Sequence, residues 1–226
     1  QHADALGRAE LVATEAQRRD ARAAHVEVEP ARGLHRVGVE GHAATGGQPL
    51  WIWSAGCATG EEAYTLAVLC DEAPEVGVSR ILGTDVNAGA IERAAAATYG
   101  DWALRGMSAG AAARYFEALG DGHRVRDRYR RHVDLAAANL LDGPPRDQRF
   151  HVVLCRNVLI HLTPEAAERV AIVLRDALAD GGWLVTGVSD PPLAAEGLVG
   201  VRLAHGSAYR RAEASVDPAV GHAGPP

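Results

Sequence analysis

Apolar and polar positions divide the central part of the chain into short apolar runs separated by longer amphipathic stretches. The run ending at Trp53 predicts a strand over 50–54, and the amphipathic stretch Glu61 to Glu72 predicts a helix, with a small-residue turn between them. The alternation repeats as a strand over 80–84 and a helix over 88–98. Residues 99–106 are turn-rich, and a helix is expected from about Ala109 to Leu119, carrying Tyr115 and Phe116. Val133 to Leu141 is a further strand candidate, with Asn139 near its end. Phe150 to Cys155 is nearly continuous in apolar character, as in a strand buried on both faces. Thr163-Pro164-Glu165 reads as a capped helix start, with proline at the first helical position. That helix is expected to run to about Ala179 and stop at Asp180-Gly181-Gly182. Trp183 to Val188 follows as a buried strand, and Val199 to Arg210 alternates around His205-Gly206 like an antiparallel hairpin. Strands alternating with helices imply right-handed crossovers and an α/β fold, a doubly wound and mostly parallel sheet with an antiparallel hairpin at its end.

The flanks read differently. Residues 3–24 are rich in Ala, Arg and Glu and predict a helix, and 25–49 form an irregular linker. Residues 212–226 hold little to bury and are expected to be a disordered tail. The expected division is therefore 1–49, 50–211 and 212–226. At 226 residues the chain can bury one sizeable core. A net charge of −6 points away from nucleic acid and from membrane surfaces as partners. Cys57, Cys70 and Cys155 show no paired spacing, which suits a reducing compartment and suggests neither a disulfide framework nor a metal site. No apolar run approaches about 18 residues, so membrane insertion is not expected and a cytoplasmic location is.

Candidate chemistry gathers in the turn after the first strand. Gly56 and Gly60 allow a sharp turn and close approach of a ligand, and Glu61 and Glu62 fall in the first helical turn, where negative charge suits the helix dipole. The loop lacks a Gly-Lys-Ser/Thr ending and, with Ala58 at its centre, a full dinucleotide fingerprint. By itself it can be an ordinary strand-to-helix turn. Asp85 ends the second strand about 25 residues beyond Gly60, where nucleotide-binding sheets place a ribose-binding acid; it can equally cap the following helix. Arg156 and Asn157 stand at the carboxyl end of the fourth strand, the edge where open α/β sheets bind ligands. If residues 123–132 are extended, Arg124, Arg126, Arg128 and Arg130 share one face, either as a solvated edge strand or as a dock for an acidic partner.

Four ordered blocks carry a family resemblance: Trp51-Ile-Trp-Ser-Ala-Gly-Cys-Ala-Thr-Gly-Glu-Glu-Ala-Tyr64, Gly83-Thr-Asp-Val-Asn87, Asn139-Leu-Leu141 and Cys155-Arg-Asn-Val-Leu-Ile-His161. Together they resemble the CheR-type protein-glutamate O-methyltransferases, which use S-adenosylmethionine and release S-adenosylhomocysteine. The resemblance covers about residues 50–190 and implies a class I methyltransferase-like fold for 50–211. It implies cofactor contacts at Gly56, Thr59, Gly60 and Glu62, a ribose contact at Asp85, and an adenine site framed by Asn139 and Leu140. Arg156 and Asn157 would close the cofactor pocket. Arg156 and His161 would serve catalysis, His161 standing where the family usually carries a tyrosine near the transferable methyl. The family's N-terminal helical domain, with its Thr-x-Phe-Phe-Arg type segment, is not recognisable; Arg32 and Arg36 are the arginines just upstream of the core.

The acceptor implied is an acidic protein such as a receptor signalling domain. Its carboxylate, with an intrinsic pKa of about 4.3, is already ionised at neutral pH and needs no general base. A hydroxyl or amine acceptor would need a proton removed, and His161 would then be the candidate base. Methylation of a small molecule, or cofactor sensing without transfer, are the alternative functions.

Overall fold

The computed structural model describes residues 49–73, 79–203 and 206–212. The helix expected over 3–24, the linker, Arg32 and Arg36, His205 and nearly all of the expected tail lie outside the described residues.

Strand β1 (Leu50–Ala55) leads into helix α1 (Glu61–Glu72), then β2 (Ser79–Asp85) and α2 (Ala88–Ala96). A two-residue β3 (Thr98–Tyr99), a 3-10 turn (Asp101–Leu104) and α3 (Ala109–Tyr115) precede β4 (Phe116–Leu119) and β5 (Gly122–Val125). The single-turn α4 (Asp127–Arg130) and β6 (Val133–Ala137) lead to a 3-10 turn, Leu140–Asp142. Next come β7 (Phe150–Cys155), the 3-10 turn Leu159–His161, α5 (Pro164–Ala177), β8 (Leu178–Thr186), β9 (Leu198–Leu203) and β10 (Gly206–Arg211).

The main sheet runs β6-β2-β1-β7-β8-β10-β9. Pairs from β6 to β8 are parallel, and β10 runs antiparallel to both β8 and β9. This is the doubly wound α/β arrangement expected, with its order reversing beside β1. Strand side chains alternate across the sheet. Leu50 and Ile52, with Val152, Leu154, Trp183 and Val185, face one core under α1, whose Ala63, Tyr64, Leu66 and Ala67 are buried there. Trp53, Leu82, Phe150, Val153 and Leu184 face the other, covered by Val170 and Leu174 of α5. Burial on both faces is why β7 reads as an apolar run broken only by His151.

Four expectations are corrected. The helix begun at Ala109 ends at Tyr115, because Phe116–Leu119 pairs with β5 in a separate sheet ordered β3-β5-β4. The helix α2 likewise stops at Ala96, with Ala97 left-handed at φ 51 before β3. The arginine stretch is not one extended ladder: β5 stops at Val125 and Asp127 starts α4. Arg126 donates to the Ala113 carbonyl at 2.8 Å, Arg128 pairs with Asp71 at 2.8 Å, and Arg130 pairs with Asp127 at 2.6 Å. The final parallel strand also begins earlier than its Trp183 start implied, at Leu178 opposite Phe150, and shortens α5 to Ala177. Thr163 caps α5 through its side chain, with Pro164 at the first turn, as the motif predicts.

Candidate active site

The site grows from the carboxyl ends of β1, β2, β6, β7 and β8, which the parallel pairing brings to one edge. After β1 the chain reverses through Gly56 at φ 83, and the amides of Gly56 and Cys57 both donate to the Thr84 carbonyl, at 2.8 and 2.9 Å. A Cβ on Gly56 would lie 2.4 Å from Val158 Cγ2, so glycine there lets the β1 and β7 loops touch. Gly60, at φ 92, caps α1 without a side-chain hydrogen bond.

The carboxylate of Asp85 holds this loop in place. Its Oδ2 accepts the amide of Ala58 at 2.9 Å, and its Oδ1 accepts the amide of Asn87 at 2.9 Å. Ala58 is left-handed at φ 46, a conformation alanine adopts only when its surroundings impose it. The helix-capping alternative falls to a neighbour: Asn87, not Asp85, caps α2 by accepting from Ala90 at 3.2 Å.

Glu62 lies close by. Ser54, fully buried, donates to its Oε1 at 2.7 Å, and Arg156 stands 3.6 Å from its Oε2. Burial pushes the Glu62 carboxyl up, and Arg156 and Ser54 only partly oppose that. Cys57 is pushed up to about 12, first by burial and then by the charges of Asp85 and Glu62, so its thiol stays protonated in the shared field of both carboxylates.

Several expected residues meet here: Gly56, Gly60, Glu62, Asp85 and Arg156 line one edge. Asn157 follows Arg156 in a left-handed turn at φ 57. Thr59 donates its hydroxyl to Glu61 at 2.7 Å, and its carbonyl accepts Tyr99's hydroxyl at 2.9 Å. Asn139 comes two residues after β6, beside Asp85, whose carbonyl accepts the Ala138 amide at 2.9 Å; its side chain caps the next turn through Leu141 at 3.0 Å. Leu140 packs with Val158 against the second core. His161 is exposed at the end of its 3-10 turn, and its ring has no hydrogen bond or ion pair among the described residues.

Three residues at this edge were absent from the sequence expectation. Ser54 stands just after the apolar run that ends at Trp53, where nothing in the sequence marks it as a partner for Glu62. Val86, half exposed beside Asp85, offers an apolar surface at the strand end. Asp190 ties the loops after β7 and β8 together. The signal for Asp190, an acid just past a buried strand and followed by two prolines, was present in the sequence.

Two fixed carboxylates, an arginine, an open helix start and an exposed valine suit a ligand that combines a diol, positive charge and a flat apolar ring. S-adenosylmethionine has that chemistry, and the residues present fit it. Residues 34–195 match the family model "CheR methyltransferase, SAM binding domain". The chain is 37% identical over 177 residues to the probable biofilm formation methyltransferase WspC of Pseudomonas putida, covering 76% of this chain and 42% of that protein. It is 36% identical over 155 residues to chemotaxis protein methyltransferase 1 of Pseudomonas aeruginosa, covering 65% and 57%. It thus spans about half the length of these curated relatives. Among solved structures, the N-methyltransferase NodS from Bradyrhizobium japonicum WM9 aligns at 20% identity with a TM-score of 0.48, covering 83% of this chain and 97% of that one.

Proposed function

Because the chain belongs to the CheR methyltransferase family through its S-adenosylmethionine-binding domain, we propose that it methylates glutamate side chains of a chemoreceptor or related signalling protein. The observation that carries this reading is the joining of Glu62, Asp85 and Arg156 at one sheet edge around the Gly56–Gly60 turn. The relatives' names, for biofilm formation and for chemotaxis, support a signalling acceptor.

When bound, S-adenosylmethionine supplies a methyl group activated by its sulfonium. In this reading Asp85 holds the ribose, Asn139 and Leu140 frame the adenine with Val86 beside them, and Gly56, Thr59, Gly60 and Glu62 line the methionine end. Arg156, kept near Glu62, closes the pocket from the β7 side together with Asn157, and its charge draws an acceptor carboxylate inward. An ionised carboxylate needs only orientation and exclusion of water, which proximity effects provide. His161, exposed and without a partner that would hold it as a base, fits a positioning role at the rim.

Residues 50–211 form the methyltransferase domain in this reading. The acceptor is an acidic protein, docked on Arg124, Arg126, Arg128 and Arg130 as separate surface charges and not as one extended ladder, the last three each holding a partner within the chain. Among the described residues no helix is long and apolar enough to cross a membrane, and we place the activity in the cytoplasm. The test is incubation with methyl-labelled S-adenosylmethionine and a receptor-containing membrane fraction. Label in protein, released as methanol by mild base, is the expected result. Label found only in small molecules, or bound cofactor with no transfer, would reject glutamate methylation in favour of a small-molecule acceptor or a sensor.

A further inference from the structure

Asp190 is the most heavily used acceptor among the described residues near the site. Its Oδ2 accepts the amides of Asn157 at 2.7 Å and Gly187 at 2.8 Å. Its Oδ1 accepts the amides of Leu159 at 3.0 Å and Ile160 at 3.3 Å. One side chain therefore ties the whole turn after β7, which carries Arg156 and His161, to the end of β8.

The surroundings are built for this contact. A Cβ on Gly187 would lie 3.0 Å from Asp190 Oδ2 and 3.1 Å from the Asn157 nitrogen, so glycine lets the two loops approach. Pro191 follows Asp190 and restricts it to extended backbone. Three residues on, the Leu193 amide donates to the hydroxyl of Tyr209, a buried residue of β10, at 2.9 Å. The acid is thus held from both sides before it accepts anything. Asn157, at φ 57, needs such restraint. The pattern repeats that of the β1 loop, where left-handed Ala58 gives its amide to Asp85.

We propose that Asp190 is a positioning residue: it sets the placement of Arg156 and His161 against Glu62 without itself touching the reactants. The proposal rests on the methyl-transfer reading for its effect on rate, but not for its effect on the loop.

The test compares wild type with Asp190→Ala and Asp190→Asn, well below their melting temperatures. The readouts are label transfer from methyl-labelled S-adenosylmethionine to the receptor-containing membrane fraction, calorimetric affinity for S-adenosylhomocysteine, and amide hydrogen exchange. Asp190→Ala should lower kcat by about 10²-fold, the scale of a misplacement near 1 Å. Affinity for S-adenosylhomocysteine should fall by less, and the amides of Asn157, Leu159 and Ile160 should exchange faster. Asp190→Asn, which keeps one acceptor oxygen, should recover part of the rate. Unchanged kcat in Asp190→Ala with only a lower melting temperature would overturn the proposal, as would unchanged exchange at those amides. If wild type binds S-adenosylhomocysteine but transfers no label, methyl transfer is refuted, and the exchange result alone then decides whether Asp190 holds the loop.

Discussion

Replacing Asp85 tests how one carboxylate serves both the loop and the ligand. Its two oxygens accept the amides of Ala58 and Asn87, each at 2.9 Å. A hydrogen bond to a charged group contributes about 1.5–3 kcal/mol. The Asn87 amide is exposed and can turn to water, whereas the Ala58 contact is partly buried and its left-handed backbone depends on it. Asp85→Ala should therefore destabilise the ligand-free protein by about 2–4 kcal/mol, or roughly 4–15 °C in melting temperature for a domain of this size. It should also weaken calorimetric binding of S-adenosylhomocysteine by about 1–3 kcal/mol, the range for leaving polar ligand groups unpaired. Asp85→Asn keeps one acceptor oxygen, so it should restore much of the stability while affinity stays low. The two effects separate only if the carboxylate has both jobs. Wild-type affinity in Asp85→Ala, within about twofold, would move the ribose contact elsewhere and refute the reasoning.

Gly56→Ala should cost about 1–3 kcal/mol of unfolding free energy from left-handed strain alone, and more from the 2.4 Å approach to Val158; Val158→Ala should recover the contact part, and strict additivity in denaturant titrations would count against it. Glu62 has a folded-state pKa raised above its unfolded value, so the stability linked to it is complete below about 4.5 and is lost as pH rises through the folded pKa. Glu62→Gln should then gain in melting temperature relative to wild type between pH 4.5 and 7.5 while losing affinity for S-adenosylhomocysteine; a constant difference across that window would contradict the burial account. His161→Phe should lower the transfer rate without changing its pH profile, because an acceptor carboxylate needs no deprotonation; a wild-type rate that rises with pH, with the rise lost in the variant, would indicate a hydroxyl or amine acceptor.

The β1–α1–β2 unit was legible in the sequence because three signals agree there: apolar runs, glycines where backbone turns sharply, and acids in the first helical turn. The failures share a cause. Ala, Arg and Leu favour a helix through 109–119, yet Phe116 is drawn into a strand by its partner Val125, a tertiary choice that local propensity does not encode. Leu178 follows Phe150 into the sheet for the same reason, ahead of the glycines that seemed to stop the helix. Alternating arginines imitate a strand, but Arg-Asp-Arg-Tyr also fits one helical turn, and Asp127 starts it. The meeting of Gly56, Glu62 and Asp85 at one sheet edge was readable, because they lie close in sequence. The place of Asp190, past a buried strand and before two prolines, was visible too, but its partners were not, because the amides of Asn157, Leu159 and Ile160 lie 33, 31 and 30 residues earlier in the chain.

The strand order also bears on how this sheet is made during translation. Strand β10 lies between β8 and β9, although it is synthesised after both. Until Gly206–Arg211 leaves the ribosome, β9 has no neighbour in this sheet and the edge of β8 is bare. The nascent chain therefore carries an unpaired apolar strand edge, the kind that templates aggregation, while its ligand-binding edge is already present. A stalled chain that stops before Gly206 should need chaperone protection, and one extended past Arg211 should not.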